Sequence, residues 1–146
     1  MIWTPRTTVA AVIQQNDRFL LVEELIDGQM TLNQPAGHLE SGESLIEAVI
    51  RETQEETAWL FKPTALVGIY RWQHPKSGDT YMRFSFTGDA VEHDPQQTLD
   101  ADIHQAIWLT EQELLARQTA FRSPLVLESF NDYLAGHRYP LTLLKN

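Results

Sequence analysis

The 23 residues from Gly37 to Trp59, GHLESGESLIEAVIRETQEETAW, constrain this chain more than any other stretch. Six of them are glutamates: Glu40, Glu43, Glu47, Glu52, Glu55 and Glu56. Helical periodicity, about 100° per residue, puts Ile46, Val49, Ile50, Thr53 and Thr57 on one buried stripe. Glu52, Glu55 and Glu56 then share an arc beside that stripe, near the C-terminal end of the helix. The negative end of the helix dipole opposes carboxylates there by about a few tenths of a kcal/mol each. Like charges at i, i+4 add a similar penalty. Acids clustered in such a place call for a counter-charge, and a hard divalent cation held by oxygen ligands supplies one.

The flanks fix the ends of the helix. Ser44 and Glu47 make a capping box, so the helix is predicted to start at Ser44. Gly37 follows Pro35-Ala36 and is expected in a loop, free to turn its carbonyl towards the acids as a further ligand. Arg51, the one cation of the run, is placed to pair with an acid and hold it in position.

The spacing of Gly37, Glu43 and the run Arg51–Trp59 (RETQEETAW) closely resembles the Nudix box, the signature of the Nudix pyrophosphohydrolases. Thr53 departs from the aliphatic residue usual in that motif, and Ala58 stands where the family has Gly. A glycine there would form a left-handed helix cap. With Ala58 the exit from the helix must differ or carry strain on the order of 1 kcal/mol. A Glu-rich helix is most often a solvated face, but charged positions and a glycine at these fixed spacings are far more specific than that.

Composition bounds the rest. At 146 residues a single domain spanning 1–146 is the natural expectation. No cysteine is present, which removes disulfides and thiolate metal sites. Eleven Lys and Arg against twenty Asp and Glu leave a net charge of −9, which argues against general nucleic-acid binding. No uncharged apolar run approaches the roughly 20 residues of a membrane span, and MIWTPRTTVAAVIQQ lacks the pattern of a secretory leader. The expectation is a cytoplasmic protein with no membrane or nucleic-acid partner, a monomer or homodimer.

Along the chain, Thr7–Ile13 and Arg18–Glu24 are predicted strands joined as a hairpin across Gln14–Asp17. Asp27-Gly28 is a turn, and Met30–Asn33 a short extended piece. After the helix, Lys62-Pro63 is expected to break the chain. Strands follow at Ala65–Gln73 and Thr80–Gly88, then a polar loop over Ala90–Ala101 and a strand at Gln105–Leu109. Thr110 with Glu113 caps a short helix. Ser123-Pro124 opens a longer one that Gly136 ends. Strands around a central helix and a late helix pair predict an α/β protein with a mixed β-sheet between helices. The Nudix α/β/α sandwich is the fold that the resemblance implies.

Beyond the motif, the segments NQPAGHLE, YRWQHP, YMRFSF and FRSPLVLESFNDYLAGHRYPL resemble one subgroup of the family, the NudJ-type phosphatases. The resemblance implies a Mg²⁺-dependent enzyme, with Mn²⁺ as substitute. Its substrates would be small-molecule nucleoside or pyrimidine phosphates: nucleoside tri- and diphosphates and hydroxymethylpyrimidine pyrophosphate, with release of phosphate. Mg²⁺ bridges carboxylates and substrate phosphates, polarises the phosphoryl group and lowers the pKa of a bound water. On this reading Gly37, Glu52, Glu55 and Glu56 are metal ligands, and Glu43 and Arg51 orient the cluster. Glu52 or Glu55 serves as general base, with Asp100 or Asp102 in reserve. Arg83, Arg122 and Arg71 are the candidates for phosphate contacts, and Trp72 and Tyr81 for stacking on a base. His38 and His104 are read as surface hydrogen-bonding residues. Two other readings are a Nudix hydrolase of ADP-ribose or dinucleotides and a non-catalytic ligand-sensing module, although such modules usually lose acids that are present here.

Overall fold

A computed structural model describes residues 1–146. In chain order the elements are β1 (Arg6–Val12), β2 (Gln14–Gln15), β3 (Arg18–Ile26), β4 (Gln29–Asn33), β5 (Ala36–His38), α1 (Leu45–Thr57), β6 (Trp59–Gln73), β7 (Thr80–His93), β8 (Ile103–Thr110), α2 (Glu111–Ala116) and α3 (Pro124–Leu134).

Alternation along β1 sets the layers, because successive strand side chains point to opposite faces. Val9, Ala11 and Ile13 join Ala48 and Val49 of α1 in one core, together with Leu20, Phe61, Leu66 and Phe86. Val12 turns the other way, into a second core with Phe19, Leu21, Leu32, Leu114 of α2 and Val126 and Phe130 of α3. Phe19 and Phe130 meet edge to face at 5.0 Å. The β-structure is therefore covered by α1 on one side and by α2 and α3 on the other, the expected α/β/α sandwich.

The β-structure is mixed, as predicted, and divided into two sheets. One has the order β5-β1-β7-β6, with β1 parallel to β7. In the other, β3 takes β2 and β4 along one edge and β8 along the other, all antiparallel. The predicted β1–β3 hairpin is thus corrected. Asn16 and Asp17 make a left-handed turn, and the chain folds back on β3 only through the two residues of β2 and the Ile13 carbonyl, which accepts the Leu20 N–H at 3.0 Å. The longer β1 leaves for the first sheet, where its apolar faces are buried on both sides.

Two other expectations change. Lys62-Pro63 does not end a strand: β6 runs through it by shifting register against β7, and Gly88 opposite lets the Lys62 carbonyl come close enough to exclude a Cβ. The loop after β7 is shorter than predicted, because β7 continues to His93. The chain after Gly136 packs against β6, with Tyr139 exchanging backbone hydrogen bonds with Leu66 at 2.7 and 2.8 Å. The caps at Ser44, Thr110 and Ser123 form as predicted. No helix is long and apolar enough to cross a membrane.

Candidate active site

The buried face of α1 carries two acids. Ala48, Val49, Glu52, Thr53, Glu56 and Thr57 are buried, while Ile46 and Ile50 are only half-buried. The apolar stripe is therefore rotated from its predicted position, and Glu52 and Glu56 lie on the packed face itself. They face β5, which holds Gly37 in a strand, opposite Val9 of β1, and not in the expected loop. A Cβ on Gly37 would overlap the Glu52 carboxyl group. Only glycine lets that carboxyl come so near the strand.

Arg51 gathers the neighbouring acids. Its Nε and Nη2 donate to both Glu43 oxygens at 3.0 and 2.7 Å, a bidentate pair. Its Nη1 donates to Glu52 at 2.8 Å and to Glu55 at 3.2 Å, and Nη2 also reaches the His38 carbonyl at 3.0 Å. Hydrogen bonds to Arg51 hold the Glu43 carboxyl below its ordinary range. Burial raises Glu52 above that range, against the opposing pull of Arg51. Glu56 is more deeply placed. Its Oε1 accepts the Ala36 N–H at 2.9 Å, yet burial first, then the charges of Glu24, Glu52 and Asp100, push it up to about 9.

The end of α1 recruits a further acid. Helix termini leave four carbonyls without intrahelical partners, and the segment after β7 supplies donors to three carbonyls at this end. Gln97 Nε2 donates to the Gln54 carbonyl, the Asp100 N–H to the Glu55 carbonyl at 3.1 Å and the Asp94 N–H to the Ala58 carbonyl at 2.9 Å. This pinning brings the Asp100 carboxylate to Glu52 and Glu55, and the three acids have oxygens within 4.8 Å of one another. Oxygen-only donors of this kind fit a hard divalent cation, and the buried Glu56 carboxyl has no positively charged partner, which such an ion supplies.

A cleft of about 480 Å³ opens beside these acids, reaching Gly37, Glu52 and Glu56 at one end. Thr8, Tyr81, Arg83 and Trp72 come to it from the first sheet, and Glu24, Ile26 and Asn33 from the second. Arg122, Ser123 and Leu125 close it at the start of α3. Arg83 is buried, donates to Gln34 Oε1 at 3.1 Å, and is pushed down by desolvation to about 10, so its guanidinium is charged at neutral pH. Trp72 and Tyr81 are cross-strand neighbours with rings 5.9 Å apart.

Of the residues singled out in the sequence, Gly37, Glu52, Glu56, Arg83, Arg122, Trp72 and Tyr81 line one cleft. Glu55, Arg51 and Glu43 stand behind it, tied to Glu52. Arg71 does not join them. It is exposed and points to the face of β6 opposite Trp72, because neighbouring strand residues alternate. His38 lines the cleft, whereas His104 is the residue that a register shift between Glu23 and Glu24 leaves out of the β3–β8 ladder. Asp100 and Asp102 separate: Asp100 joins Glu52 and Glu55, and Asp102 lines the cleft near Glu24. Sequence reading missed Glu24 and Asn33. Both are buried polar side chains close to the buried apolar residues Val22 and Leu32 of their strands.

A helix that carries its acids on the buried face, against a glycine strand and beside a cleft with a buried guanidinium, defines a class. The chain belongs to the Nudix family: residues 4–130 match its NUDIX domain model. It is 39% identical to the phosphatase NudJ of Escherichia coli K12 over 98% of this chain and 92% of that one. The same identity and coverage relate it to the phosphatase NudJ of Shigella boydii. A NUDIX hydrolase from Nitrosomonas europaea superposes with a TM-score of 0.96 at 50% identity, covering 98% of this chain and 97% of that one. The NUDIX domain of Shewanella oneidensis NrtR, solved with ADP ribose, shares the fold with a TM-score of 0.72 at 18% identity, covering 91% and 90% of the two chains. The chain is accordingly a hydrolase of the Nudix type.

Proposed function

We propose that this hydrolase is Mg²⁺-dependent and releases phosphate from nucleoside tri- and diphosphates, with hydroxymethylpyrimidine pyrophosphate as a further substrate. The observation that carries this reading is the convergence of Glu52, Glu55 and Asp100 within 4.8 Å, with Glu52 also on the wall of the cleft that Arg83 and Arg122 line. The similarity to proteins named as phosphatases supports the release of a terminal phosphate.

Glu52, Glu55 and Asp100 would hold the ion together, with Glu56 and the Gly37 carbonyl completing its surroundings from the strand side. When bound, Mg²⁺ polarises the phosphoryl group and lowers the pKa of a bound water. Whichever of Glu52, Glu55 and Asp100 is left with a free oxygen accepts the proton of the attacking water. Arg51 holds the Glu52 and Glu55 carboxylates at fixed positions, and Glu43 holds Arg51. Arg83 and Arg122 face the non-bridging oxygens and favour their growing negative charge. Trp72 and Tyr81 flank the base or pyrimidine ring.

The test is orthophosphate release with Mg²⁺ from nucleoside tri- and diphosphates, hydroxymethylpyrimidine pyrophosphate, ADP-ribose and a dinucleotide, each with and without added pyrophosphatase. Direct orthophosphate from the first three supports the reading. Activity confined to ADP-ribose or the dinucleotide would replace it with cleavage inside the pyrophosphate. Ligand binding without turnover would replace it with sensing.

A further inference from the structure

Glu24 is a buried carboxylate in the cleft that the chemistry above does not use. Only 9% of it is exposed, and its one hydrogen bond is a 3.2 Å contact from Asn33 Nδ2 to Oε1. No ion pair reaches it: burial pushes its carboxyl above the ordinary range, opposed by the Asn33 hydrogen bond and by the charges of Arg122 and Arg83, which bind elsewhere or stand free. Its second oxygen has no donor from the protein. Beside it the Asn33 Oδ1, in a residue only 6% exposed, also lacks a partner. A buried charge with one long hydrogen bond is expensive unless something else completes it. Two unmet acceptors on one wall of a ligand cleft call for a donor from the ligand.

A second metal ion is the poorer match. Glu24 is outside the Glu52, Glu55 and Asp100 group, and the guanidinium groups of Arg122 and Arg83 act on it more strongly than the carboxylate of Asp102, which disfavours a cation. A neutral N–H donor suffers no such repulsion. Ile26 and Leu125 line the same cleft, which suits the flat, largely apolar body of a heterocycle.

We propose that Glu24, positioned by Asn33, selects nucleotides whose base carries an exocyclic amino group over those with a carbonyl at that place. The proposal rests on the nucleotide reading given above. An ionised carboxylate only accepts hydrogen bonds. It therefore pairs with the amine of cytosine or adenine and faces the carbonyl of uracil or hypoxanthine with like polarity, and a site built this way rejects the analogue that lacks the donor.

The test compares CTP with UTP and ATP with ITP, pairs that exchange the exocyclic amine for a carbonyl and, with it, the adjoining ring nitrogen from acceptor to N–H donor. Phosphate release with Mg²⁺ gives kcat/KM for the wild type and for Glu24→Gln. Calorimetry with Ca²⁺ in place of Mg²⁺ gives binding of the same nucleotides to the wild type. The expected wild-type preference for the amino member is about tenfold or more in both measurements. In Glu24→Gln, whose amide also donates, the kcat/KM ratio falls towards one. A wild-type ratio near one overturns the proposal. So does an equal loss on both members of each pair in the variant, the behaviour of a metal ligand or a purely structural residue. If no nucleotide yields phosphate, the phosphatase reading fails and the binding ratio alone decides: tighter binding of the amino member supports selection, and equal or absent binding overturns it. Should Glu24→Gln not fold, Asn33→Ala removes the positioning donor and must lower the same ratio; an unchanged ratio contradicts the assignment.

Discussion

The Glu52 carboxyl group lies where a side chain on Gly37 would have to be. The glycine is therefore a packing requirement of the acid cluster, independent of any ligand role for its carbonyl. Gly37→Ala should displace Glu52 from Glu55 and Asp100, with an overpacking cost of about 1–3 kcal/mol. The expected result is a folded protein, checked by circular dichroism, whose phosphate release falls by about 100-fold or more, since misplacement of about 1 Å at a reacting centre has that effect.

Glu56 makes stability depend on pH in the metal-free protein. Its folded-state value, about 9, lies above the ordinary glutamate value of 4.5, so the folded chain holds a proton that the unfolded chain releases between those limits. Stability from this group is complete below that window and declines as pH rises through it. In EDTA, the Tm of the wild type should fall from pH 6 to pH 9 more steeply than that of Glu56→Gln, which has no such proton to lose. Parallel pH profiles would contradict the burial argument.

Ala58 ends α1 in the left-handed conformation, with φ 62° and ψ 16°. Ala58→Gly should relieve about 1 kcal/mol of strain and raise the Tm by about 2–4 °C, with kcat/KM unchanged. Thermal unfolding checks it directly.

Arg122 and Arg71 separate contact from coincidence. Arg122 lines the cleft and Arg71 points away from it. Arg122→Ala should raise KM about tenfold through the loss of a charge-assisted phosphate contact, while Arg71→Ala leaves both kinetic constants within about twofold of the wild type, as for most surface changes.

Local rules carried much of this in advance. The capping boxes at Ser44 and Thr110, the Ser123 cap and the strain at Ala58 depend on residues within a few positions of one another, and each was legible. What depends on distant partners was not. The rotation that buries Glu52 and Glu56 comes from the approach of β5, and thirteen apolar and polar positions of α1 alone do not reveal which strand will pack on them. Asp100 reaches the cluster because its segment satisfies the carbonyls at the end of α1, a long-range pairing that a polar stretch without period does not announce. The β1–β3 hairpin failed for a related reason. A short turn fixes where two chains reverse, but burial on both faces drew β1 into a parallel pairing with β7, more than sixty residues away in sequence.

The most direct test of the central claim is divalent-metal binding and phosphate release measured together on the wild type and Glu52→Gln. Calorimetry with Mg²⁺ reports the first, and orthophosphate production from a nucleoside triphosphate the second. If Glu52 anchors the ion, the variant should lose most Mg²⁺ affinity and about a thousandfold or more in rate while keeping its fold. A Glu52→Gln protein that binds Mg²⁺ and releases phosphate at near wild-type rates would contradict the account.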